Sequence, residues 1–278
     1  MSSIKDRQRA AARARLEKEM AERATAAKKR RQRQAIIGSA AAVVLIAGAA
    51  VWITYALRDD DKKSTSSAGA PPAGTVACTW TPVPAGGGKV KDVGTPPPNV
   101  PNTGTSVMTI DTNLGKMTAK LDLSKVPCTA ASFQHLGSKN FWNDTKCHRV
   151  VNEQSFRVLQ CGDPFAKGKG YRPTDGTGGP SYTMAEENLP TGQSNPYPAG
   201  SIAMANTGQP NSSGSQFFLT AEDTKLPPNY TLVGKLDTGL DIVKKVVAAG
   251  DDGAFKAQAG GGHPKMETII KSLTVSPS

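Results

Sequence analysis

The chain has 278 residues and a formal net charge of +11, enough to raise the question of a nucleic-acid partner. The distribution of the charge answers it: residues 1–34 carry twelve Lys and Arg against four acids, a balance of +8, so the remaining 244 residues share only +3. A nucleic-acid-binding domain keeps its positive excess on the folded part, whereas here it lies on a tail, and no nucleic-acid partner is expected.

That tail, "RQRAAARARLEKEMAERATAAKKRRQRQ", is rich in helix formers and has only Leu16 and Met20 as sizeable apolar residues. It reads as a solvated helix whose charge sets topology and attracts anionic headgroups. Ala35 to Leu57, "AIIGSAAAVVLIAGAAVWITYAL", then runs for 23 residues without an Asp, Glu, Lys, Arg or His. At about 1.5 Å per residue this length crosses a hydrocarbon core of about 30 Å. A buried core helix would show a polar face, and a cleaved signal peptide would have a shorter apolar run behind a short charged region. The expectation is a single transmembrane helix over residues 35–57, with Trp52 and Tyr55 at an interface. The positive-inside rule puts the tail in the cytoplasm, which makes this a single-pass protein of the cell membrane with its remainder outside.

Residues 58–104 change character, with "STSSAGAPPAG", "VPAGGGK" and "GTPPPNVPNTGT". Pro, Gly and Ser at this density bury little and predict an extended tether. The exception is "VACTWTP", Val76 to Pro82, whose Cys and Trp suggest docking on the domain that follows.

Residues 105–278 make that domain. Alternating apolar and polar residues on both sides of Thr112 to Gly115 predict a hairpin. A helix follows, opened by Pro127, with Ala130, Phe133 and Leu136 at helical spacing up to Gly137. Further strands are expected at Lys146–Val151, Phe156–Cys161, Gly200–Ala205, Ser215–Thr220, Thr231–Leu236 and Glu267–Val275, with a second helix in "GLDIVKKVVAAG". Many short strands, Gly-rich turns and two lone helices predict a mainly β fold, a closed antiparallel barrel capped by helices.

All four cysteines, Cys78, Cys128, Cys147 and Cys161, follow the expected span, so in an oxidising space they read as disulfides. Three pairings remain open. Cys147–Cys161 is preferred because adjacent strands could bring the two together, which would leave Cys78 to tie the tether to Cys128. No metal site is expected, because C-x₂-C and H-x₃-H spacings are absent and His135, His148 and His263 are scattered. Cys147 and His148 are neighbours on opposite faces of a strand and cannot form a nucleophile–base pair. His148 reads as a satisfied core histidine, and Glu186 and Glu187 as ordinary surface acids.

"CHRV", "LQCGDP", "GTGGP", "YPAGSIAMAN" and "NSSGSQFFLT" together resemble the cyclophilin-type peptidyl-prolyl isomerases, from about Ser106 to Val275. The flanking tail, span and tether resemble membrane-anchored, cysteine-containing forms of actinobacterial envelopes. The resemblance implies an eight-stranded antiparallel barrel with two capping helices and a groove on its outer face. It implies catalysis of rotation about Xaa-Pro bonds without cofactor or covalent intermediate, assisting the folding of exported proteins.

By position, the resemblance makes Arg149 the catalytic arginine and Gln160 its orienting partner. It assigns Ala205, Asn206, Gln216 and Phe218 to the groove, with Leu226 as a hydrophobic wall. Strand alternation in "SQFF" sends Phe217 to the core and Phe218 to the groove. Extra residues between Arg149 and Gln160 leave the aromatic pocket position open, to Phe156 by type or Arg157 by spacing, with Val158 also at the seat. Lys225 stands where many members have a tryptophan, so cyclosporin binding should be weak, and Tyr230 stands where many have a histidine. The implied partners are proline-containing peptide segments. The competing reading is a peptide-binding adaptor or holdase that keeps the groove while catalysis is incidental.

Overall fold

A computed structural model describes residues 71–83, 89–257 and 259–278. The basic tail, the expected span over 35–57 and tether residues 58–70 and 84–88 lie outside the described residues. Among the described residues no helix is long and apolar enough to cross a membrane. Everything described lies within one compact unit, Gly69–Ser278.

Four short strands come first: β1 (Thr75–Ala77), β2 (Thr81–Pro82), β3 (Lys89–Lys91) and β4 (Asn99–Pro101). β1 pairs antiparallel with β4. The docking expected of Val76–Pro82 is present and continues beyond it, because β3 also takes a partner in the domain.

The hairpin expected around Thr112 forms from β5 (Thr105–Thr112) and β6 (Gly115–Asp122), with Thr112 opposite Gly115. Alternation buries Met108, Ile110, Met117, Ala119 and Leu121 on one face. Helix α1 (Pro127–Ser138) opens with a proline, whose missing N–H costs nothing at that position. Val126, its N-cap, supplies no side-chain bond. The Glu187 carboxylate does so instead, accepting from the N–H groups of Cys128 at 3.0 Å and Thr129 at 2.8 Å and from the Thr129 hydroxyl at 2.7 Å. Glu187 is therefore a half-buried helix cap rather than a surface acid, placed where the helix dipole favours a negative charge. Glu186 also has a partner, accepting from the Asn211 N–H at 3.1 Å.

The remaining elements are β7 (Thr145–Lys146), β8 (Arg149–Glu153), β9 (Phe156–Cys161), β10 (Gly178–Pro180), β11 (Tyr182–Thr183), β12 (Ser201–Met204), β13 (Phe217–Thr220), β14 (Leu232–Thr238), α2 (Leu240–Ala249) and β15 (Ile269–Pro277). Ile242, Val243, Val246 and Val247 form the buried stripe of α2. The strand expected at Lys146–Val151 divides into β7 and β8, because Cys147 and His148 leave the ladder between them.

The fold is mainly β with two helices, as expected, but its strand count differs from a closed eight-stranded barrel. Among the described residues one nine-stranded sheet runs β7-β15-β5-β6-β14-β12-β13-β9-β8, with antiparallel pairing throughout. Its edge strands are β7 and β8, separated in sequence only by Cys147 and His148, so chain continuity rather than a ladder brings the ends of the curled sheet together. Phe133, Trp142 and Phe217 anchor the core, with ring centroids 5.3 Å apart for Phe133–Trp142 and 5.7 Å for Phe133–Phe217. Fully burying each such side chain is worth roughly 1.5–3 kcal/mol.

Two disulfides form, Cys78–Cys128 and Cys147–Cys161, the preferred pairing of the three. The second is fully buried at the edge where β8 meets β9.

Candidate functional site

The register of three strands assembles the site. Arg149 on β8 lies opposite Gln160 on β9, and Gln160 lies opposite Phe218 on β13. Along β9, Phe156, Val158 and Gln160 share a face by two-residue periodicity. Phe217 joins the main core while Phe218 packs with Val151, Val158, Tyr197 and Ala203 in a second cluster, as alternation requires. The cleft over this second cluster measures about 480 Å³.

The expected groove residues meet in that cleft: Arg149, Gln160, Phe156, Val158, Ala205 and Asn206 line it, joined by Phe218, Leu226 and Tyr230. Gln216 lines an adjoining cleft instead. At the open aromatic position, Phe156 faces the cleft, whereas Arg157 pairs with Glu222. Phe218 and Tyr230 meet edge to face, 5.5 Å apart. The Arg149 guanidinium stands 5.7 Å from the Phe156 ring centroid.

A directed hydrogen-bond chain crosses the floor. Arg149 Nη1 donates to Gln160 Oε1 at 2.9 Å, and Gln160 Nε2 donates to Gln216 Oε1 at 3.0 Å. Gln216 Nε2 donates in turn to the carbonyls of Gly176 at 2.8 Å and Gly178 at 3.0 Å. The two backbone acceptors fix the orientation of Gln216, and through it that of Gln160 and the guanidinium. Gly162 permits this closeness: its φ is +106°, and a Cβ there would fall 2.3 Å from the Ser215 carbonyl oxygen.

Sequence reasoning missed a second set of contacts to Arg149. Nε donates to the Gly260 carbonyl at 3.1 Å and Nη2 donates to the Ala259 carbonyl. Both acceptors come from the loop after α2, pressed onto β8 at Gly261, where a Cβ would lie 2.0 Å from the Val150 carbonyl oxygen. Backbone carbonyls leave no side-chain signature, so only the density of glycine in "AGGGHP" hinted at close approach. Burial pushes the guanidinium below its ordinary pKa, but arginine remains charged. Two of its five N–H donors have no acceptor among the described residues.

Tyr197, also missed, braces that seat. It is fully buried, its hydroxyl donates to the Tyr230 carbonyl at 3.0 Å and accepts from the Tyr230 N–H at 3.0 Å, and burial pushes its pKa up to about 12. Asn206 Nδ2 donates to the Asn229 carbonyl at 2.9 Å, holding the same segment. His148 is buried as expected, but it lines the arginine cleft against Gly176 rather than joining the core, and it is not satisfied: Nδ1 is buried without a hydrogen-bond partner among the described residues. Burial lowers its pKa to about 4 despite the opposing charges of Asp163 and Asp175.

The family profile described as cyclophilin type peptidyl-prolyl cis-trans isomerase/CLD matches residues 107–275. The "Probable peptidyl-prolyl cis-trans isomerase B" of Mycobacterium leprae is 40% identical over 173 residues, covering 58% of this chain and 54% of the relative. Its namesake from Mycobacterium tuberculosis is 39% identical over 199 residues, covering 66% of this chain and 58% of the relative. The chain thus spans a little over half the length of these relatives. A solved cyclophilin-type isomerase of Cryptosporidium parvum is 24% identical with a TM-score of 0.47, covering 63% of this chain and 99% of that one.

Proposed function

The chain belongs to the cyclophilin-type peptidyl-prolyl cis-trans isomerase family, and on that premise we propose that residues 105–278 catalyse rotation about Xaa-Pro bonds. The observation that carries this reading is one cleft in which a half-buried, hydrogen-bonded arginine stands beside an aromatic seat.

An Xaa-Pro bond populates both isomers, yet its rotation faces a barrier of about 18–20 kcal/mol. No bond breaks, so catalysis consists of binding the twisted amide better than either planar form. The prolyl nitrogen gains a lone pair only as resonance is lost, and an N–H of Arg149 aimed at it is an interaction made in the transition state alone. Gln160 and Gln216 hold the guanidinium in advance, so little reorganisation accompanies the twist. Phe156, Phe218, Leu226 and Tyr230 seat the pyrrolidine ring, and no cofactor enters these steps.

The substrates we assign are proline-containing segments of exported proteins, met outside the cell membrane. The +8 tail before a 23-residue stretch without charged residues supports an anchor with the tail inside, and two disulfides downstream suit an oxidising compartment. External protease on intact cells should then remove the domain and leave the tail protected.

The decisive experiment measures cis–trans exchange in an Ala-Pro peptide by NMR with the full chain. Acceleration well above the uncatalysed rate is expected. Peptide binding without acceleration would make the groove a binding module.

A further inference from the structure

Beside the arginine cleft lies a second one of about 340 Å³. The two share Gln160, Gly176, Ala205 and Asn206, so they are continuous, and a peptide seated by its proline in the first has room to extend over the second. One wall of the second cleft comes from the tether, through Val83, Lys89 and Val90.

That wall is fastened at several points. β3 pairs in parallel with β10, setting Lys89 beside Gly178 and Val90 beside Gly179. β2 pairs antiparallel with β11, and the Val83 N–H donates to the Ser181 carbonyl at 2.9 Å. Trp80 meets Tyr182 edge to face at 5.3 Å, and Cys78 is bonded to Cys128. The tether thus holds Lys89 and Val90 at fixed positions along the groove.

Val90 is 39% exposed, one of two large apolar side chains left open among the described residues, and it is so beside a cleft that a peptide would cover. Lys89 is the one cationic residue lining that cleft among the described residues, and no acidic residue lines it. The other polar groups are neutral hydroxyls and amides, and Tyr182 stays a neutral phenol because burial pushes its pKa up to about 12. The Lys89 ammonium donates to Thr174 Oγ1 at 3.1 Å, which leaves further N–H donors for a ligand.

We propose that the tether is a specificity element of the groove: Lys89 and Val90 select peptides that carry an acidic side chain close to the proline. This rests on the peptide-groove reading above and adds to it a substrate class. An exposed ammonium contributes modestly to affinity, and its effect is screened by salt.

The test uses the full chain and peptides of matched length in which the residues flanking Ala-Pro on either side are Glu, Gln or Lys in turn. Exchange NMR gives kcat/KM and a titration gives Kd. On one flank the Glu peptide should exceed the Lys peptide by roughly three- to tenfold at low salt, and the gap should shrink at high salt. Lys89→Glu should reverse the order, whereas Lys271→Glu, the same charge change on an exposed position of β15, should leave it intact. No charge preference on either flank, or the same preference in Lys89→Glu, overturns the proposal. Absence of exchange with every peptide would overturn the isomerase reading alone, since the Kd ratios still decide the role of Lys89.

Discussion

Arg149 and Gln160 stand directly opposite each other on β8 and β9, and a 2.9 Å hydrogen bond from Nη1 to Oε1 closes across the pair. The side chain proposed to act on the substrate is thereby positioned by the ladder itself, and a one-residue slip of register would turn it to the other face.

Replacing Arg149 separates charge from geometry. Arg149→Ala should cost about 2–4 kcal/mol of transition-state stabilisation, by analogy with deletion of an oriented donor. Peptide affinity should fall much less, because the aromatic seat remains. Arg149→Lys keeps the charge but loses the planar fork that serves Gln160, Ala259 and Gly260 together, so its turnover should lie nearer to Ala than to wild type. Exchange NMR beside an affinity titration, on variants with matching melting curves, makes the comparison. A wild-type exchange rate in Arg149→Ala would remove the residue from the mechanism.

A second expectation concerns acid stability. Burial holds His148 at a pKa of about 4 against an ordinary 6.5. The unfolded chain therefore takes up a proton over this window before the folded one does. Stability is fully present above pH 6.5 and is lost as pH falls towards 4, on the order of 3 kcal/mol in all. His148→Gln should flatten the slope of unfolding free energy against pH across that window. Denaturant titrations at half-unit steps check it, and an unchanged slope would assign the acid sensitivity to the carboxylates.

The paired cysteines give a third. Non-reducing peptide mapping should return Cys78–Cys128 and Cys147–Cys161. Replacing Cys147 and Cys161 by serine opens a loop with a sequence separation of 14, for which the chain-entropy estimate is about 3 kcal/mol. The Cys78→Ser/Cys128→Ser variant should lose stability too, and with it part of the charge preference assigned to Lys89, because the tether then keeps its strand pairs, Trp80 and the hydrogen bonds of Lys91 and Asp92 but loses its covalent tie. An unaltered preference in that variant would show the strands sufficient.

For inhibitors, Lys225 is exposed beside Leu226 of the cleft wall. It brings a charge and lacks the indole N–H, so cyclosporin should bind weakly and Lys225→Trp should tighten it. Calorimetry on the two proteins decides the point, and equal affinities would clear Lys225 of any part in it.

Much of this site could be read from sequence because strands alternate. The pattern in "SQFF" separates Phe217 from Phe218, and the same rule puts Phe156 with Val158 and Gln160. The resemblance supplied Arg149 and Gln160, and spacing then allowed them to meet. What stayed hidden was long-range and carried by the backbone. Glu187 caps a helix that begins 60 residues earlier at Pro127, and the acceptors at Ala259 and Gly260 involve no side chain. The strand break at Cys147–His148 escaped notice because both residues suit a ladder by type. Lys89 reads as one more charge in a flexible stretch until its pairing with β10 sets it beside the groove.

The Cys78–Cys128 bond also decides how the protein bears traction. Tension arriving from the N-terminal side of Cys78 passes through the sulfur atoms to Cys128 at the first turn of α1. The intervening chain, which includes the β5–β6 hairpin and both tether strands beside the groove, is spanned by that bond and cannot be drawn out while the bond holds. A pull from that side therefore reaches the domain through a helix start pinned by Glu187, away from Lys89, Val90 and the cleft beside them.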